Sequence, residues 1–84
     1  MEFESRQIVN GSLLRQFIGK NISIIVNIED ISGSTIRATT TDGQLVQIIY
    51  RDQLIARPLD WVEIIGSAAG SDRITAKEVK FSMN

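Results

Sequence analysis

The chain has 84 residues, 43% of them hydrophobic, with nine basic against ten acidic side chains and a formal net charge of −1 at pH 7. So short a chain makes one domain, near the lower limit for a self-sufficient core. It contains neither cysteine nor histidine, which excludes disulfides and thiolate metal sites and removes the usual neutral-pH general base and the commonest metal ligand.

Residues 1–11 read as an arm. Its opening Met1-Glu2-Phe3-Glu4 is acidic, unlike a signal peptide, and Ile8-Val9 supply residues that can pack. Asn10-Gly11 is a turn signal. Ser12 suits the N-cap of a short helix in which Leu13, Leu14, Phe17 and Ile18 share one face, and Gly19 suits a left-handed C-cap. A helix of under two turns does not stand alone, so it is expected to plug one end of a larger structure. The strongest strand signal follows in residues 21–30, where Ile22, Ile24, Val26 and Ile28 fall on one side and Ser23, Asn27 and Glu29 on the other.

Ile31-Ser32-Gly33-Ser34 predicts a turn or bulge, and a second strand over 35–40 puts Ile36 and Ala38 on one face. Asp42-Gly43 is a hairpin signal. The third strand, 45–50, directs Val46, Ile48 and Tyr50 to one side and Leu45, Gln47 and Ile49 to the other. Residues 51–59 connect it, through the only proline, Pro58, to a fourth strand over 61–67. There Val62, Ile64 and Gly66 oppose Trp61, Glu63 and Ile65. A fifth strand runs from 73 to about 82; its apolar parity changes from Ile74 and Ala76 to Val79 and Phe81, which predicts a β-bulge near Lys77-Glu78. No apolar run approaches the length needed to span a membrane, and the expectation is a soluble intracellular protein.

Sequential strands joined by tight turns form an antiparallel meander. Five short strands left open would expose two long edges, and closure into a barrel removes them. The expected fold class is all-β: a five-stranded barrel with a short N-terminal helix, over residues 12–82. Both the OB-fold and the Sm-like barrel fit. An Sm-like chain carries an aspartate and then Met-Asn or similar after its second strand, for uridine binding. Residues 37–43, Arg37-Ala38-Thr39-Thr40-Thr41-Asp42-Gly43, are followed by no such asparagine, so the OB-fold matches better.

With these elements in place, the sequence resembles the smallest subunit of replication protein A, the eukaryotic single-stranded DNA-binding heterotrimer. The resemblance covers nearly all of the chain. Its most telling part is Asn10-Gly11-Ser12-Leu13-Leu14-Arg15-Gln16-Phe17; Thr41-Asp42-Gly43, Val62-Glu63-Ile64-Ile65-Gly66 and Ile74-Thr75-Ala76-Lys77-Glu78-Val79-Lys80-Phe81 add to it. The resemblance implies a non-catalytic OB-fold scaffold subunit acting in DNA replication, repair and recombination in the nucleus. The implied partners are the middle and large subunits, with single-stranded DNA met mainly through the complex; no cofactor and no membrane are implied. Family members assemble mainly through a helix after the last strand, and this chain stops at Phe81-Ser82-Met83-Asn84 without one. The expectation is a diverged or trimmed member. The small subunit of the telomere-capping CST complex is built alike and is the rival assignment, with direct binding of single-stranded nucleic acid by this domain as a further alternative.

OB-folds stack bases on aromatic side chains inside a basic groove. Of the five aromatics, Phe17, Tyr50 and Phe81 lie on apolar faces and read as core, Phe3 lies in the arm, and Trp61 takes an outward parity. Arg37, Arg51 and Arg57 are the candidate phosphate contacts, weighed against the plainer reading as scattered solvated cations. Ile25, Leu45, Ile49, Trp61 and Ile65 all take the parity of polar neighbours. Five outward apolars on adjoining strands would make a patch, so these are the candidate protein-interface residues. Asp30, Asp42, Asp52, Asp60 and Asp72 sit in or beside turns, where aspartate serves local hydrogen bonding. No nucleophile–base pair, phosphate-binding glycine loop or metal spacing is visible, and no enzymatic activity is expected.

Overall fold

The computed structural model describes residues 7–52, 57 and 59–81. The expectations for Phe3, Pro58 and Ser82 lie outside the described residues. The longest element is the isoleucine-rich strand β2, Asn21–Ser32. It is preceded by β1 (Gln7–Val9) and a 3-10 helix (Gly11–Phe17) and followed by β3 (Thr35–Thr40), β4 (Leu45–Ile49), β5 (Trp61–Gly70) and β6 (Arg73–Phe81). The strand order is β1-β2-β3-β4-β6-β5, and a further β2–β5 pairing closes the ring. All ring contacts are antiparallel except β4–β6, which is parallel from Gln47↔Arg73 to Ile49↔Thr75. The five-stranded barrel expected from the alternation pattern is therefore present, with β1 added outside the ring.

β2 can serve as the hub because it has two edges and a bend. One edge pairs with β5 from Asn21↔Ser67 to Asn27↔Trp61. The other carries β1, in parallel, at Ile22 to Ile24 and β3 from Val26↔Thr40 onward. The register slips between Ile28 and Asp30, leaving Glu29 unmatched. One extra residue inverts the side-chain parity. Ile28 is buried in the core before the slip, and Ile31 packs against that core after it. The strand thus continues to Ser32, and the turn is confined to Gly33 and Ser34, with Gly33 at a left-handed φ of 62°.

The even-numbered residues of β2 form the barrel lining with Ile36 and Ala38, Val46 and Ile48, Val62 and Ile64, and Ile74. The bulge expected near Lys77-Glu78 is present: Ile65 faces Glu78 but Gly66 faces Ala76, so Lys77 is the extra residue. After it Val79 packs against the core, opposite Ile64. The opposing Gly66 is required by close approach. A Cβ there would stand 2.1 Å from the Thr75 carbonyl oxygen and 2.8 Å from the Ala76 Cα. Phe81, expected in the core, is instead half exposed, because it is the last residue of β6 and lies at the barrel rim opposite Val62.

The helix plugs one end of the barrel, but by a different face from the one its apolar residues suggest. In a 3-10 helix residues three apart eclipse one another. Gly11, Leu14 and Phe17 form that row: the first two are buried and Phe17 packs against the core. Leu13 and Ile18, which an α-helical turn would have placed with them, are exposed. The N-cap is Asn10 rather than Ser12, its side chain accepting from the Leu13 amide at 3.0 Å. Gly19 adopts the expected left-handed conformation and its amide donates to the Ala68 carbonyl at 2.8 Å, tying the helix exit to β5.

The helix entry is held from across the chain. Asp42, in the β3–β4 hairpin, accepts from the Gly11 amide at 2.9 Å, the Ser12 amide at 3.0 Å and the Thr40 hydroxyl at 2.5 Å. A Cβ on Gly11 would stand 2.7 Å from the Thr40 hydroxyl oxygen and 2.8 Å from the Gln44 Cβ, so only glycine lets the two segments meet this closely. The Thr40 hydroxyl chiefly, then the Gly11 and Ser12 amides against a partial desolvation, lower the Asp42 carboxyl from 3.8 to about 2.

Two outcomes are expected from this packing. Gly66→Ala is destabilised by about 1–3 kcal/mol in urea denaturation, as an overpacked site with no flexible neighbour, whereas Gly70→Ala, whose Cβ would meet only Arg73 at 3.6 Å, is tolerated. For Asp42 the folded-state value lies below the unfolded one, so its contribution is present above about pH 4 and is lost as pH falls through about 2. Asp42→Asn is expected to lower the melting temperature at neutral pH and to flatten the loss of stability across that acid window.

Candidate functional site

Barrel closure sends the outward side chains of different strands to different sides of the molecule. On one side, cross-strand neighbours of β3, β4 and β6 line up as rows. Thr35, Ile49 and Thr75 form one; Arg37, Gln47 and Arg73 form the next; Thr39 and Leu45 a third. Arg37, Gln47 and Arg73 are all exposed, and among the described residues no carboxylate pairs with either arginine. A depression of about 260 Å³ lies beside this row, lined by Arg37, Leu45, Val46, Gln47 and Asp72. The Gln47 amide donates to the Asp72 carbonyl at 2.8 Å, which holds the β5–β6 turn against β4. Two guanidinium groups flanking an amide side chain offer donors suited to phosphate oxygens, with the acidic Asp72 lining the same depression.

Of the candidate phosphate contacts, Arg37 stands in this row. Arg51 and Arg57 are exposed on the β4–β5 connection: Arg51 follows Tyr50, whose amide donates to the Ser34 carbonyl at the β2–β3 turn, and Arg57 lies in the turn closed by Asp60. The structure therefore does not align the three. It aligns Arg37 with Arg73 instead. Arg73 opens the last strand without any local signal, and only the parallel β4–β6 pairing brings it opposite Gln47.

On the other side, β2 and β5 present a second face. Here the partners are Ser23↔Ile65, Ile25↔Glu63 and Asn27↔Trp61. The five candidate interface residues divide between the two faces. Leu45 and Ile49 lie on β4, separated from β2 by β3 and from β5 by β6, so they form no continuous patch with Ile25, Trp61 and Ile65. Ile65 also departs from its expected exposure: it is 6% accessible. Its cross-strand neighbour Ser23 is buried as well and donates its hydroxyl to the Glu63 carboxylate. Parity sets which face a side chain leaves from, but not whether that face is covered. Trp61, at 46%, is exposed as expected.

The turn that leads into this face carries the one non-glycine residue among those described with a positive φ, Leu59 at 76°. A β-carbon in that region costs of order 1–3 kcal/mol. It is held there by the Leu59 amide donating to the Ile28 carbonyl at 2.6 Å and by the Asn27 side-chain amide donating to the Leu59 carbonyl at 2.8 Å. Asp60 closes the turn: its carboxylate accepts from the Arg57 amide at 2.9 Å and its carbonyl from the Ile28 amide at 2.9 Å.

The comparisons with known proteins agree with this architecture. The family model described as replication factor A protein 3 matches residues 1–83. A comparison with curated protein sequences finds no significant match. In fold, the chain is similar to a chain of U. maydis replication protein A bound to single-stranded DNA, with TM-score 0.84 and 23% identity, over 100% of this chain and 78% of that one. It is similar to the telomere capping protein Ten1 of S. pombe, with TM-score 0.84 and 10% identity, over 95% of this chain and 84% of that one. A chain of the S. pombe Stn1–Ten1 complex matches with TM-score 0.82 and 8% identity, over 99% and 82% of the two chains.

The β2–β5 face separates a structural apolar residue from an available one. Ile65→Ala is expected to cost about 2–4 kcal/mol in chemical denaturation, as a buried truncation does. Trp61→Ala, removing a half-exposed ring, is expected to leave the unfolding midpoint nearly unchanged. Equal losses at the two positions would contradict this division.

Proposed function

Since the chain belongs to the replication factor A protein 3 family, we propose that it is a non-catalytic OB-fold scaffold subunit of a heteromeric single-stranded DNA-binding complex. The observation that carries this reading is the family match across almost the whole barrel, joined to a basic row that holds, among the described residues, two arginines with no carboxylate partner. So small a cationic surface supports weak contact with a strand, and most of the DNA affinity is assigned to partner subunits. Those partners are other OB-fold chains, the middle and large subunits of a replication protein A-like heterotrimer, acting in replication, repair and recombination in the nucleus. Protein contact is assigned to the outward apolar residues, Ile25, Leu45, Ile49, Trp61 and Ile65, with Ile65 as the buried floor of its face.

A telomere-capping complex is the second reading. What favours it is the fold similarity to Ten1, equal in TM-score to that with the replication protein A chain. The two readings share the same role for this barrel and differ in the partner it recruits.

Titration of the isolated chain with a labelled oligonucleotide at low and moderate salt tests the division of labour. Binding is expected to be weaker than about micromolar. Two phosphate contacts, at about 0.7 counterions each, give a slope of about −1.4 in log affinity against log salt. Arg37→Gln combined with Arg73→Gln is expected to abolish that residual binding, while Arg51→Gln and Arg57→Gln change it little. Tight binding with a steep salt slope would favour a direct single-strand binder instead. Co-expression with the middle subunit is expected to yield a stable complex, and a chain that stays monomeric would contradict the scaffold role.

A further inference from the structure

The β2–β5 face carries an apolar stripe whose exposure rises along its length: Ile65 at 6%, Ile25 half-buried, Trp61 at 46% and Leu59 at 76%. Ile65 and Ile25 are diagonal neighbours across the two strands, and Asn27 lies opposite Trp61 while its side-chain amide holds the Leu59 carbonyl. One asparagine thus ties the most exposed leucine among the described residues beside the only tryptophan.

Leu59 is the informative member. A leucine in a left-handed conformation is disfavoured, and a leucine in solvent gains no burial in return. Both conditions hold here at once, and the turn is fixed by hydrogen bonds from Arg57, Leu59 and Asn27 rather than left to relax. Strain that the surrounding structure maintains, on a side chain left mostly in solvent, is the pattern of a binding feature.

The charges around the stripe identify what binds. Asp60 lies between Leu59 and Trp61, Glu63 is opposite Ile25, and Glu29 is the bulged residue that follows Ile28. Each carboxylate is oriented by a hydrogen bond, from the Arg57 amide, the Ser23 hydroxyl and the Thr39 hydroxyl respectively. Two bases adjoin the stripe: Arg57 in the turn, and Lys80 opposite Glu63 on β6, which pairs with Glu78 at 3.9 Å. Glu78 itself stands opposite Ile65, so acids still outnumber bases along this face. Acids beside an apolar strip repel a phosphate backbone and attract lysine or arginine.

We propose that the Leu59–Trp61 stripe docks a basic amphipathic segment of a protein partner, with apolar side chains seated on Leu59, Trp61 and Ile25 and cations against Asp60, Glu63 and Glu29. This rests on the reading of Trp61 as a protein contact and adds the chemistry of what it contacts. It also gives the two faces opposite preferences, phosphate on β3–β4–β6 and basic polypeptide on β2–β5.

The full chain is titrated with a synthetic amphipathic lysine–leucine peptide while the emission of Trp61, the only tryptophan, is followed. A saturable blue shift is expected, weakening with salt, and a glutamate–leucine peptide of the same pattern is expected to cause none. Leu59→Asn is the decisive variant, because asparagine tolerates the left-handed conformation better. It is expected to keep or raise the urea midpoint while weakening peptide binding by about tenfold, as loss of a central anchor does. An unchanged emission, equal binding of the acidic peptide, full affinity in a folded Leu59→Asn, or burial of Trp61 by self-association or by an oligonucleotide would each overturn the proposal. If the middle subunit still assembles with the chain while the basic peptide is ignored, this inference fails and the scaffold role stands; if assembly fails while the peptide binds, the reverse holds.

Discussion

The pairing of β2 along both of its edges is the constraint on which the rest of the structure depends. One edge takes β5, the other takes β1 and then β3, and the unmatched Glu29 lets a single strand belong to both sides of the ring. Because the sheet closes on itself, its lining is dry and crowded: Ile22, Ile24, Val26 and Ile28 are fully buried. Burying a side chain of this kind contributes about 1.5–3 kcal/mol, which is how a chain of this size sustains a core without disulfides. The 3-10 helix completes that core by lowering Leu14 onto one end, and the Asp42 carboxylate fixes where the helix begins.

Closure also determines what the outside of the barrel can do. In an open sheet the five outward apolar residues would share one face. In the ring, β4 stands across from the β2–β5 pair, so Leu45 and Ile49 are separated from Trp61 and Ile25 by a strand on either side. The same closure brings Arg73 into line with Arg37 through the parallel β4–β6 contact. The result is a small domain with two chemically distinct sides, one offering unpaired arginines and the other an apolar stripe beside carboxylates.

Much of this is legible in the residues, and the parts that are not have a common cause. The alternation of β-branched residues in β2, the Asp-Gly hairpin and the parity switch at Lys77 are local signals, and each marks a feature found in the fold. The family resemblance carried by residues 10–17 and 62–66 agrees with the family match over residues 1–83. The helix type is not legible, because Leu13, Leu14, Phe17 and Ile18 satisfy an α-helical stripe, whereas the row that packs inward is Gly11, Leu14 and Phe17, at the three-residue spacing of the tighter turn. Nor are the Glu29 bulge, the covered position of Ile65, the alignment of Arg73 or the left-handed Leu59, since all four depend on strands or turns distant in sequence.

The most direct test of the two-sided account is a map of amide chemical-shift changes on the labelled chain as an oligonucleotide is added. The closed barrel predicts changes centred on Arg37, Gln47 and Arg73, with Ile25, Asn27 and Glu63 unmoved. Changes centred on the β2–β5 face, or spread evenly around the ring, would contradict it.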